Sequence, residues 1–258
     1  MKAFRAGLAI SKNSFSRNRI YLLNHIINSV GSFIFGYIAV SIWRALLGDS
    51  PETSAMVTYV MVNQAGVWIT MFLPYGAFLF QKVNDGTIAF DVLRPCGLIY
   101  MTFFEMLGHV FYNFVFRYIP IFCLGFLILG VELPALNHLL PYILSLFFGF
   151  VICYFLNYFV GLWALKFLNI TGGQAIYYTL MNFFNGCMIP AEYYPGILKQ
   201  IMPLTPFAGT SYIPTYVYLG KIPFLSAFAI QGFWILILGC LACVLTAKVQ
   251  KTLQIQGG

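Results

Sequence analysis

Long apolar runs constrain this chain more than any other feature. Phe224–Ala247 extends for roughly 24 residues without a charged side chain, enough at about 1.5 Å per residue to cross a hydrocarbon core of about 30 Å. Comparable runs cover Ile20–Trp43, Met56–Phe80, Phe103–Gly130 and Tyr142–Leu165, and a shorter one covers Gln174–Ile189. The chain is 60% hydrophobic and 8% charged, whereas a soluble domain is about 45–50% apolar and about 25% charged. A water-soluble core of this size would leave too little polar surface to cover it. The expected fold class is all-α integral membrane, with six transmembrane helices in one domain over residues 1–258.

The stretch before the first run holds Lys2, Arg5, Lys12, Arg17 and Arg19 and no acid. Phe4, Leu8 and Phe15 recur at roughly helical spacing among these cations. This is the pattern of an amphipathic helix over 1–19 lying in the headgroup layer. A cleaved secretory signal is the rival reading, opposed by the length of the basic region and by the spans that follow. Within the first run, Ser32 and Gly36 form a small-xxx-small face suited to close helix contact, and Asn24, His25 and Asn28 fall near its headgroup end. Pro74 is expected to kink the second run.

With six spans, both termini share a side. That side carries the basic N-terminus, Lys82, Arg94, Lys166, Lys248 and Lys251; the other carries Arg44, Lys199 and Lys221. The positive-inside rule places the termini and the 81–95 segment in the cytoplasm. The net charge of +7 is scattered over loops, so it points to topology and not to nucleic acid.

Gln81–Pro95 is an unusually charged interruption, with Lys82, Asp85, Asp91 and Arg94 between two apolar runs. Gly86 and Pro95 punctuate it, and Thr87–Asp91 has the length for a short amphipathic helix. A second irregular stretch, 190–223, contains Pro190, Pro195, Pro203, Pro206, Pro214 and Pro223, which forbid one continuous helix. It is too apolar and aromatic to float in water. Re-entrant helices dipping into the outer leaflet before the last span are expected there, with its tyrosines in the interfacial belt.

Arg117 falls near the middle of the third run, where a charge normally faces protein or water. It is a candidate for the substrate path, or for an ion pair or carbonyl contact between helices. Glu105 and His109 share a helix face four residues apart, near the cytoplasmic entrance, and lack a third metal ligand. Cys96, Cys123, Cys153, Cys187, Cys240 and Cys243 mostly lie in or near apolar runs and read as small packing residues, with no disulfide framework. No catalytic constellation is visible, since His25, His109 and His138 are dispersed. No phosphate-binding glycine loop precedes Lys251-Thr252. ATP-driven work would require a separate polypeptide.

Two motif groups resemble a known family. Gly86-Thr87-Ile88 followed by Leu93-Arg94-Pro95 is similar to the G-x-I … L-x-R-P segment between spans two and three of ABC-2 type transporter permeases. Gly186-Cys187-Met188-Ile189-Pro190, then Tyr194-Pro195, Pro203, Pro206-Phe207, Pro214 and Gly220, resembles the pattern before their last span. The six-span layout and basic N-terminal helix agree, and the likeness covers nearly the whole chain.

The resemblance implies a bacterial cell-membrane exporter in which two permease subunits, identical or sister, form the pathway. ATP and Mg would bind separate ABC ATPase subunits, with no cofactor in this chain. Gly86, Thr87, Ile88, Asp91, Leu93, Arg94 and Pro95 would couple to that ATPase. Pro190, Tyr193, Tyr194, Pro195, Pro206 and Phe207 would belong to the outer gate, and Arg117, Glu105 and His109 to the path. Arg117 has no match in the family pattern. The alternatives are an ion-coupled secondary transporter, and an intramembrane enzyme or non-transporting scaffold.

Overall fold

Among the described residues the protein folds entirely into helices and turns, in a computed structural model that describes residues 2–18, 22–88, 97–167 and 169–252. Helix α1, Lys2–Asn18, lies along α5, Leu98–Leu129. Glycines let the two backbones approach. A Cβ on Gly7 would meet the Tyr100 and Phe104 rings, and one on Gly108 would enter the backbone of Ser11. Ser11 Oγ donates to Phe104 O at 2.6 Å, and Phe15 packs among Phe111, Tyr112 and Phe116. The three apolar residues seen in sequence are therefore divided. Phe15 faces α5, while Phe4 is 61% and Leu8 49% exposed, leaving them free for lipid contact.

Helix α2, Leu22–Leu47, is apolar on all sides and mostly exposed, the pattern expected of a lipid-facing helix. Its small-residue face meets α3, Glu52–Thr70. A Cβ on Gly36 would sit 2.9 Å from Met61 Sδ. Ser32 Oγ accepts hydrogen bonds from Gln64 Nε2 at 2.8 Å and Trp68 Nε1 at 2.9 Å. The expected kink at Pro74 is a full interruption. Thr70 ends α3, Met71 N and Phe72 N both donate to Val67 O, and α4, Tyr75–Asn84, begins after the proline. Pro74 has no N–H to offer and disfavours helical geometry in the residue before it.

Helix α5 contains two wide turns, Phe114–Tyr118 and Gly125–Leu129, the first directly before Pro120. A proline's missing N–H and ring clash are relieved by such π-type widening. Helix α6, Leu136–Phe167, starts earlier than the sequence boundary at Pro141. The proline lies inside its second turn, where it removes a single backbone bond near the helix start. Helix α7, Thr171–Phe184, has 14 residues, about 21 Å of length, shorter than its apolar run. Gly186, at φ +72°, turns the chain away.

The proline-rich stretch then forms short helical turns, Ala191–Tyr193, Leu198–Ile201, Met202–Leu204 and Ala208–Thr210, before α8, Tyr212–Tyr218, which is buried throughout. Helix α9, Phe224–Thr252, follows. Within α9, Gln231 Nε2 donates to Ser145 O at 2.9 Å and to Gly209 O at 2.8 Å, while its Oε1 accepts from Ser145 Oγ. One amide thus ties α6, α9 and the 208–210 turn, as a polar group in an apolar helix requires.

Among the described residues, four stretches are long and apolar enough to cross a membrane: His25–Leu47, Leu98–Leu129, Leu136–Phe167 and Phe224–Val249. Substituting Gly108→Ala is expected to cost about 1–3 kcal/mol through overpacking against α1. Gly232→Ala, in a helix with nothing within 4 Å of the new methyl, should be neutral or stabilising by up to about 1 kcal/mol. Thermal unfolding of the two variants in nanodiscs checks the contrast.

Candidate functional site

The described part of the charged segment grows out of α4. Lys82, in its last turn, extends Nζ to Glu105 Oε2 at 3.3 Å. Arg17, in the last turn of α1, reaches Glu105 Oε1 at 2.8 Å. Both cations also lie over the Phe78 ring, at 5.2 Å for Arg17 and 4.6 Å for Lys82. Glu105 is nearly buried, whereas Arg17 is largely exposed. The Arg17 pair is therefore weak in energy, and the Lys82 pair carries more of the link. Beyond Asn84 the helix ends as helices often do, with Gly86 at φ +69°. Thr87 Oγ1 donates to Lys82 O, and Ile88 is 1% exposed. Asp91, Leu93, Arg94 and Pro95 lie outside the described residues.

Arg117 occupies the first wide turn of α5 and is 6% exposed. Its guanidinium stacks on Trp68, 3.9 Å from the ring centre, and Nη2 donates to His25 Nδ1. With Nδ1 accepting, His25 carries its proton on Nε2, which donates to Asn18 O at 3.1 Å. Among the described residues no carboxylate pairs with Arg117, and its Nε has no partner. His109 Nδ1 lies 3.1 Å from Asn18 Oδ1. Glu105, His109 and Arg117 therefore do not meet in one cavity. Glu105 and His109 hold the end of α1, and Arg117 sits deeper, behind Trp68. His25, at the start of its apolar run, is a buried bridge between Asn18 and Arg117. Among the described residues, no three His, Cys, Asp or Glu side chains gather as a metal site.

The other face of Trp68's surroundings is open. A cleft of about 470 Å³ lies between α2, α3 and the region of α7, with Trp68 and Phe72 on one wall. Asn28, Ser32, Gln64, Asn182 and Asn185 place amide and hydroxyl groups among its apolar lining. This mixture suits an amphiphilic ligand. The residues were missed in sequence, although Asn28, Gln64 and Asn182 are the polar exceptions in apolar runs.

The six residues expected at the outer end fall in three places. Pro190 and Tyr193 line a pocket of about 510 Å³ with Glu52, Glu192, Tyr216 and Lys221. Tyr194 and Pro195 line a shallower hollow of about 340 Å³ beside Asn182 and Phe183. The Tyr194 hydroxyl donates to Phe183 O. Phe207, next to Pro206, stacks on Phe184 with centroids 6.1 Å apart. Tyr193 packs on Trp43 at 4.8 Å, joining the stretch to α2.

A family model described as "ABC-2 family transporter protein" matches residues 23–257. Among curated proteins, none matches the chain.

Arg117 is buried with no counter-charge among the described residues, so its place is costly. Arg117→Met, which replaces the buried charge with an apolar side chain beside Trp68, is expected to hold or raise the unfolding temperature, by about 1 kcal/mol or more of stability. Trp68→Ala should lower it, by about 3 kcal/mol or more. Thermal unfolding in nanodiscs measures both.

Proposed function

Because the chain belongs to the ABC-2 transporter family, we propose that it is the permease subunit of an ATP-driven exporter in a bacterial cell membrane, paired with a second permease and with separate ATPase subunits. The observation that carries this reading is the family match from residue 23 to 257, which takes in both the charged 81–95 segment and the proline-rich 190–223 stretch. The chain is a multi-pass membrane protein by its family and its apolar helices. In the proposed topology six crossings are made by α2, the α3–α4 pair, α5, α6, α7 with the turns after it, and α9. Both termini lie in the cytoplasm.

Each part then has a role. Gly86, Thr87, Ile88, Asp91, Leu93, Arg94 and Pro95 form the seat for the ATPase, on which ATP and Mg bind. Lys82 is the stem of that seat, and Glu105 ties it to α5 and, through Arg17, to α1. The cleft beside α2, α3 and α7 is this subunit's half of the path, with Arg117 behind its Trp68 wall. The turns around Pro190, Tyr194, Pro195, Pro206 and Phe207 close the outer end. ATP binding shifts the seats, and cargo is moved only if it interacts differently with the two arrangements of the path.

Charge reversal in the seat tests the reading. Asp91→Lys and Arg94→Glu are each expected to strip the ATPase from the purified complex or to abolish cargo-stimulated ATP hydrolysis, with the permease still folded by size-exclusion chromatography. Full coupled activity in both variants would contradict the assignment of this contact. A complex that transports on a proton gradient alone, with no ATPase, would contradict the reading as a whole.

A further inference from the structure

The pocket of about 510 Å³ between the start of α3 and the 190–221 stretch has a chemistry that the family reading does not explain. Its floor is buried and aromatic, built on Tyr59 and Tyr216, which meet edge to face at 5.7 Å. The Tyr59 hydroxyl donates to Gly186 O and that of Tyr216 to Glu192. Both floor donors are thus engaged with protein, and Glu192 is fixed on the wall. Its rim is exposed and charged, with Glu52, Glu192 and Lys221. The chain has only seven acidic residues and a net charge of +7, yet two of the acids line this one cavity.

Among the described residues neither Glu52 nor Glu192 has an ion-pair partner, although Lys221 shares the rim. The Lys221 ammonium lies instead over the Tyr216 ring, 5.4 Å from its centre, inside the range of about 6 Å for a cation–π contact. One cation of the protein's own already uses this aromatic wall. Tyr193 completes the wall. Burial raises its phenol above the usual value, and the neighbouring Glu52 and then Glu192 carboxylates act in the same direction, so both acids bear on one ring.

We propose that this pocket binds an organic cation, its positive head between Glu52 and Glu192 and over the tyrosine rings, its apolar body against the floor. An inorganic ion does not fit the description, because two carboxylates are too few ligands and the cavity has the volume of a small-molecule site. Binding needs no ATPase. The further role, an outer station for exported cargo, rests on the proposed permease function.

The test uses the full chain in phosphatidylcholine nanodiscs with rhodamine 6G as the cationic probe, read by fluorescence anisotropy, and sulforhodamine B as an anionic counterpart. Glu52→Gln and Glu192→Gln together are expected to weaken rhodamine 6G binding at least about tenfold, without loss of fold, since both side chains are exposed. Lys221→Gln should tighten it severalfold by removing the resident competitor, and sulforhodamine B should not compete. Unchanged affinity in the double variant, or equal binding of the anionic dye, would overturn the proposal. Adding phosphatidylethanolamine identifies the source of the cation: competition assigns it to a lipid headgroup, and its absence to a soluble ligand. Absence of ATP-driven transport by the unaltered complex, with dye binding intact, would count against the permease reading alone.

Discussion

A carboxylate inside an apolar helix needs cations, and Glu105 takes two from segments far apart in the chain. Arg17 comes from α1 and Lys82 from the end of α4. Both cations lie over one ring, Phe78; Glu105 and Lys82 are largely shielded from water while Arg17 stays exposed, so loss of Lys82 costs more than loss of Arg17. The backbone approach at Gly108 and the Ser11 bond hold α1 along the same helix. The result is a single body made of α1, the first half of α5 and the stem of the charged segment. In a permease this body would carry a push from the ATPase into the membrane.

The same rule, that polar groups among apolar helices find partners inside the protein, runs through much of the structure, with Asn113 Oδ1 an exception among the described residues. Ser32 satisfies both Gln64 and Trp68, Asn63 accepts from Thr215, and Gln231 secures the 208–210 turn. These contacts fix α2 on α3, α8 on α3 and α9 on α6. Arg117 departs from the rule, with a ring and an imidazole in place of a carboxylate. Its ring partner Trp68 also lines the amphiphilic cleft.

Much of the fold was legible in the sequence, because apolar run length and helix length answer to one constraint, the thickness of the bilayer. Ile20–Trp43 corresponds to Leu22–Leu47 and Phe224–Ala247 to Phe224–Thr252. Proline marked the interruption at Pro74, whereas the helix end before Gly186 falls inside the expected 174–189 run. Pro141 misled, because a proline near a helix start costs little and α6 runs through it. The site was less legible. That Ser32 and Gly36 seek a close neighbour follows from their size, but that Trp68 caps Arg117, or that His25 bridges it to Asn18, depends on packing between distant segments. Likewise Glu52 and Glu192 are isolated acids in the sequence, and only the fold brings them to one cavity.

Glu105 locks α1 and the stem of the charged segment into one unit. The most direct test of this lock is a distance between spin labels at Lys12→Cys and Asn84→Cys, both exposed positions, in a chain whose native cysteines are replaced. Electron–electron resonance would be recorded on the ATPase complex at rest and trapped with ATP and vanadate. One narrow distance distribution is expected in both states, and it broadens when Glu105→Gln is introduced. An equally narrow distribution in the Glu105→Gln protein would contradict the lock.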